Sequence, residues 1–302
     1  MAFVPYLASD EYAAYGVPDA TLQQVESACR VVNTHLARPE GLMWSPDATG
    51  APAYMTNLAP SRTLNIPAPI APGQNVVIPM PGQAIGQQHV GEVVILDRAD
   101  PAKAEACVIT AASGSALTLE SVRFSHSAQA PMDFGLTIYQ ELPVPPRRST
   151  VRLSRTPVVR ILSGFGRYAV GRRSQQFEGL DINTNLLAIT AAFGGPPAWT
   201  PFPADQADVN VQTGEVWIPP GLLLAHFSDV RLRYVAGWPR QNIPSEIKQA
   251  VAGIVRAAID SPFGGNIKVM KAGDATLERF SASSLDADTR ALLEPYKALL
   301  MA

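Results

Sequence analysis

Apolar and polar positions change their period twice along the chain. Near the N-terminus Leu22, Val25, Cys29, Val32 and Leu36 recur at helical spacing, on one face. Thr21-Leu-Gln-Gln24 fits a capping box at the start of that helix, and Arg38-Pro-Glu-Gly41 ends it. A shorter helical piece is expected before it, capped by Ser9, carrying Tyr12 and Tyr15, and stopped by Gly16 and Pro18. A helix of about four turns is marginal alone, so its apolar stripe needs a partner.

From Trp44 to Trp238 the period becomes two, and prolines and glycines punctuate short β-rich runs. VVIPM (76–80), EVVILD (92–97), EACVIT (105–110), ALTLESVRF (116–124) and FGLTIYQEL (134–142) read as strands. Ser113-Gly114-Ser115 separates two of them as a tight turn. A second set follows: STVRLSR (149–155), PVVRILSGF (157–165), RYAVGR (167–172), LLAIT (186–190), GEVWIP (214–219) and DVRLRYVAG (229–237). Short strands at this spacing predict small barrel or sandwich modules. Leu142-Pro-Val-Pro-Pro146 is the best internal boundary, and 194–203 is a long irregular loop.

The helical period then returns. Pro244 suits a first helical turn and Glu246 complements the dipole there. Ile247, Ala250, Val251, Ile254 and Ala258 form one apolar face. Asp260-Ser-Pro-Phe-Gly-Gly265 stops it. Asp286 is placed to cap a last helix carrying Leu292, Leu293, Tyr296, Leu299 and Leu300, with Pro295 kinking or restarting it. Helices at both ends and β structure between predict an α+β fold. A small terminal helical bundle would carry a large inserted antiparallel β region of small barrel or sandwich modules. The divisions expected are 1–45 and 237–302 for the bundle, 46–145 for an inserted β module and 146–236 for a second, arginine-rich β region.

Composition adds one asymmetry. The 302 residues carry a net charge of −2, and only 17% are charged, below the usual quarter or so. Between Leu142 and Phe177, however, lie eight arginines and no Asp, Glu or Lys: Arg147, Arg148, Arg152, Arg155, Arg160, Arg167, Arg172 and Arg173. Arg152 and Arg155 have opposite strand parity, so the cluster is not one stripe. Three readings compete: pairing with acids elsewhere in the fold, salt bridges across a subunit interface, and contact with nucleic-acid phosphates. The window's only aromatics are Phe165, Tyr168 and Phe177, which gives base stacking little support.

Candidate chemistry is sparse. Cys29 and Cys107 have no CxxC spacing, and His35, His89, His126 and His226 pair with no other ligand. His126 is flanked by serines, but no GxSxG elbow exists. No Walker A or dinucleotide fingerprint occurs; Gly164-Phe-Gly166 reads as a turn, and Asp205 and Asp208 as solvated loop acids. No catalytic residue, metal or cofactor is expected. The first residues do not read as a signal peptide and no run approaches 18 apolar residues, so a soluble intracellular protein is the expectation.

One resemblance changes the picture. VRLRYVAGWP, a short spacer, IPSEIKQAVAGIVRAAI, a Gly273-Asp274 turn and LLEPYKAL resemble tailed-bacteriophage head–tail connector (adaptor) proteins. The matching positions are Tyr234, Ala236, Gly237 and Trp238; Ile243, Pro244, Ile247 and Ala250; and Leu293, Pro295, Tyr296 and Lys297. The helix from Thr21 to Arg38 takes the place of that family's N-terminal helix, and PVVRILSGFGRYAV is similar to its Pro-Val strand. The match covers roughly 110 residues. Many such adaptors are near half this length, and about 60–145 reads as an extra β module.

The resemblance implies a connector-type bundle and a structural virion protein, not an enzyme. It would form a ring, usually twelve-fold, under the portal. It would extend the DNA channel and dock the next neck, stopper or tail protein. Implied partners are further copies of the chain, the portal and passing double-stranded DNA without sequence specificity. No membrane is involved, and the implied location is the virion neck, with host cytoplasm during assembly. The arginine cluster would then face a neighbour or the channel. The alternative is a tail-associated or receptor-binding β-structured virion protein.

Overall fold

The terminal helices form around a single apolar stripe. The structure, a computed structural model, describes residues 3–145, 149–167, 199–221, 226–260, 285–298 and, as backbone, 269–272 and 275–278. Helix α1 spans Leu22–His35. Thr21 caps it: its Oγ1 accepts the Gln24 amide at 3.3 Å, and Gln24 Oε1 accepts the Thr21 amide at 2.9 Å. Helix α2 spans Ser245–Asp260, and the Pro244 carbonyl accepts the Ile247 and Lys248 amides at its start. Helix α3 spans Ala287–Leu293, with Asp286 Oδ1 accepting the Thr289 amide at 2.7 Å. Pro295 does not kink this helix but sits in a 3-10 turn, Glu294–Tyr296, that follows it. Residues 269–272 and 275–278 pair as an antiparallel ladder.

The core of this unit joins Val25, Cys29 and Val32 of α1, and Leu36 just after it, to Ile247, Val251 and Val255 of α2 and Leu293 of α3. Leu22, expected on the buried face, is 57% exposed. Val255 is buried where Ala258 was expected, and Ala258 is exposed. Burial pushes the Cys29 thiol up to about 12, so it behaves as a small apolar side chain.

The chain divides by internal contact into Met1–Met43 with Trp238–Leu300, and Trp44–Gly237. The second unit is built of strands with two 3-10 turns, Gln87–His89 and Ala204–Gln206, and no α-helix among its described residues. Its strands are β1 (Trp44–Pro46), β2 (Pro52–Met55), β3 (Arg62–Asn65), β4 (Gly73–Pro79), β5 (Val93–Leu96), β6 (Glu105–Ser113), β7 (Ala116–Val122), β8 (Pro131–Phe134), β9 (Ile138–Pro143), β10 (Thr150–Arg152), β11 (Val158–Arg167), β12 (Thr200–Phe202), β13 (Asp208–Val209), β14 (Glu215–Trp217) and β15 (Asp229–Ala236). A six-stranded sheet runs β3-β8-β5-β6-β7-β4 and a four-stranded sheet runs β12-β11-β15-β9. A three-stranded sheet runs β10-β14-β13, and β1 pairs with β2. Every named pair is antiparallel. The fold is therefore mixed, helices plus antiparallel sheets.

In the six-stranded sheet, Val94, Leu96, Cys107, Ile109, Leu117, Leu119 and Phe134 face one core. Val93 and Ile95 face a second, with Ala53, Tyr54 and Leu136. Strand β5 is thus buried on both faces, which explains its unbroken apolar run. The expected single strand 134–142 is two: β8 ends at Phe134, Gly135 takes a positive φ of 76°, and β9 enters the other sheet. Leu142 and Pro143 are consequently the end of a strand paired with β15, and the four-stranded sheet begins before the proline-rich piece. Gly164-Phe-Gly166 is not a turn but part of β11, near its end. A Cβ at Gly164 would meet the Phe202 ring at 2.3 Å, and one at Gly166 the Phe227 ring at 2.2 Å. The two glycines let that aromatic pair, 5.8 Å apart, lie on the strand. The runs 168–172 and 186–190, most of the 194–203 loop, Gly273-Asp274, Leu299 and Leu300 lie outside the described residues.

Candidate interaction surface

Strand alternation places charge on one face of the four-stranded sheet. In β15, Val230, Leu232 and Tyr234 are buried, while Asp229, Arg231 and Arg233 point the other way. Register then sets the neighbours. Arg231 lies opposite Glu141 on β9 and Phe165 on β11; Arg233 lies opposite Tyr139 and Ser163; Asp229 lies opposite Arg167. Arg167 Nε donates to Asp229 Oδ2 at 3.1 Å, and its Nη2 is 3.6 Å from Glu141 Oε1. Arg231 Nε donates to Glu141 Oε2 at 3.0 Å. Trp199, just before β12, joins the group: the guanidinium carbons of Arg231 and Arg167 lie 3.8 and 4.7 Å from its ring centroid. Each such stack contributes about 0.5–1 kcal/mol when exposed. Arg233 stacks on Tyr139 at 4.8 Å. Burial pushes its guanidinium below the ordinary arginine range, with the Glu92 carboxylate acting against that shift.

Three guanidiniums and two carboxylates thus share a face held by aromatic rings. Arg167 and Arg231 already hold carboxylates, so their forks are poorly placed to grip a phosphate. Such a face suits a polar contact with a protein surface of mixed charge. For Arg167 the structure shows pairing within the chain, the first of the three readings of the arginine cluster.

The rest of that cluster is scattered. Arg152 is exposed on β10 and donates from Nε to the Thr213 carbonyl at 3.1 Å. Arg155 donates to Ser154 Oγ at 2.9 Å in the loop after β10. Arg160 is half-buried on β11, beside a register shift. Arg147, Arg148, Arg172 and Arg173 lie outside the described residues. Sequence reading missed Arg231, Arg233 and Trp199 as members of a charged face. The alternation in DVRLRYVA carries the signal for the two arginines; only register brings Trp199 to them.

The joint residues divide between the two units. Tyr234 is fully buried in the core of the four-stranded sheet. Gly237 takes a φ of 104°, which a side chain would resist, and its amide donates to the Pro157 carbonyl at 2.8 Å. Trp238 belongs to the helical unit: it bridges Met43 in parallel, and its amide donates to the Leu42 carbonyl at 2.9 Å. The segments that lead out to the β unit and back thus lie side by side. Trp238 packs edge-on against Tyr296, 5.6 Å between centroids, and Tyr296 Oη donates to Glu246 Oε2 at 3.3 Å. Ile243, Ile247 and Ala250 are buried in the helical core; Pro244 immediately precedes α2 and Pro295 lies in the turn after α3. Trp238 is half-buried, so Trp238→Ala is expected to cost about 1–3 kcal/mol in urea denaturation, less than the 3–5 of a fully buried aromatic.

Among the described residues no group of three His, Cys, Asp or Glu is placed to hold a metal ion, and Asp205 and Asp208 belong to no such group. No described helix is long and apolar enough to cross a membrane. Comparison with protein-family models and with curated protein sequences gives no match for the chain.

Proposed function

We propose that the chain is a structural virion protein of the connector type. In this reading it is a head-to-tail adaptor that forms a ring under the portal, extends the DNA channel and docks the next neck or tail protein. The observation that carries the reading is the joint. A terminal helical unit parts at Met43 and Trp238 to admit a β insertion, and the residues of the Tyr-x-Ala-Gly-Trp…Ile-Pro resemblance stand at that parting. A ring needs large lateral surfaces that contact heterologously and close at one rotation, and inserted sheets supply such surfaces. DNA must slide through the channel. Arginines that already hold carboxylates, as Arg167 and Arg231 do, offer it weak attachment. No turnover is involved.

The test is particle assembly without the chain. DNA-filled heads lacking tails are the expected product. Complete, infectious particles would overturn the proposal. Complete particles that fail to adsorb would instead favour a receptor-binding tail protein. Reversing Arg147 and Arg148 to Glu is expected to weaken ring or portal association while folding is kept; unchanged co-sedimentation with portal would return both to solvated surface.

A further inference from the structure

His126 has a carboxylate on each ring nitrogen. Nδ1 is 2.6 Å from Asp97 Oδ2, and Nε2 is 2.8 Å from Glu105 Oε1. The imidazole side chain is fully buried and that of Glu105 is 3% exposed. A carboxylate oxygen can only accept, so each ring nitrogen must donate, and only the imidazolium carries two N–H groups. The neutral ring would set one lone pair against a buried carboxylate.

Both carboxylates are held in place. Glu105 Oε2 accepts the Arg123 amide at 2.8 Å and Oε1 the Phe124 amide at 3.1 Å. Asp97 stands in the left-handed region, φ 47°, and its amide donates to the Pro131 carbonyl at 3.0 Å. The His126 backbone exchanges both hydrogen bonds with Ile70, at 3.0 and 3.1 Å. Ile66 likewise bonds Ala130 and Gln129. Residues 66–72 connect β3 to β4, the two end strands of the six-stranded sheet, and 123–130 connect β7 to β8. Asp97 and Glu105 flank the turn between its inner strands β5 and β6.

We propose that Asp97, His126 and Glu105 form a proton-operated lock. Charged, it holds the β3–β4 and β7–β8 connections on the β5–β6 turn; on losing its proton it releases those connections and, with them, the anchorage of both end strands.

The sign follows from the charges. Burial opposes the imidazolium, but the hydrogen bonds and charges of Glu105 and Asp97 outweigh it and raise the group above 6.5. A raised folded value means the stabilisation is complete below the unfolded value and is lost as pH rises through the folded one. The window therefore lies above about 6.5, on the alkaline side. Other charges nearby are engaged elsewhere. Arg123 donates to Thr49 Oγ1, Arg98 lies over the Tyr54 ring, and Asp100 caps the Ala102 amide. Asp47 and Glu120 act with Glu105 on the buried Cys107 thiol.

The test uses the whole unmodified chain. The ring nitrogens of His126, assigned by comparison with His126→Gln, are followed by NMR from pH 5 to 10. Hydrogen exchange of the Ile66, Ile70, His126 and Gln129 amides is followed over the same range and corrected for intrinsic rate. Both nitrogens protonated at pH 7, a midpoint above 6.5, and protection at those four amides lost through the same titration are expected. Asp97→Asn should lower the midpoint. A single neutral tautomer at pH 7, or protection unchanged through the titration, would overturn the lock.

Discussion

Tyr234→Ala is expected to lower the stability of the β unit by about 3–5 kcal/mol, the cost of deleting a fully buried aromatic. Its ring sits in the core of the four-stranded sheet with Leu232, Val230 and Ile161. Its hydroxyl donates to Gln140 Oε1 at 2.9 Å. Gln140 Oε1 also accepts the Ser154 amide and hydroxyl, at 3.1 and 3.0 Å, so this one oxygen ties β9, β15 and the loop after β10 together. Tyr234→Phe keeps the ring and leaves Gln140 two donors, so it should cost only about 0.5–1.5 kcal/mol. Urea denaturation followed by near-UV circular dichroism separates the two variants. Equal losses would mean that the hydroxyl, not packing, carries the effect.

Arg38→Ala should cost the helical unit a comparable 3–5 kcal/mol or so, the range for breaking a buried ion pair. Arg38 is fully buried, its Nε lies 3.8 Å from Glu40 Oε1, and its guanidinium faces the Trp238 ring at 6.0 Å. Truncation leaves the Glu40 carboxylate buried, and removes a stem that packs beside the joint. The double change Arg38→Ala with Glu40→Ala should recover part of the loss, because the buried carboxylate that faced Arg38 is then removed with it. A double variant no more stable than Arg38→Ala would show that the stem's packing dominates. Thermal unfolding followed by far-UV circular dichroism at the helical band checks both.

Much of the local structure was legible. Thr21 and Gln24 specify the start of α1 through two reciprocal hydrogen bonds that need no tertiary partner. Ser113-Gly114-Ser115 makes the β6–β7 turn, and Pro244 and Asp286 mark two helix starts for equally local reasons. What depends on register was not legible. Alternation puts Arg231 and Arg233 on one face, but pairing with β9 and β11 selects Glu141, Tyr139 and Arg167 as their neighbours. His126 reads as a lone histidine between serines, because Asp97 and Glu105 meet it only once β5, β6 and the segment after β7 assemble. Arg38 reads as a helix stop, since burial of a charge is set by the core around it. Glycines misled in one place: Gly164 and Gly166 make room for two rings within a strand.

The adaptor reading stands or falls on assembly. Mass by light scattering, with the chain alone and then mixed with its cognate portal, is the most direct measurement. A ring-sized species, or one that forms only with portal, is the predicted result. A stable trimer indifferent to portal would contradict it.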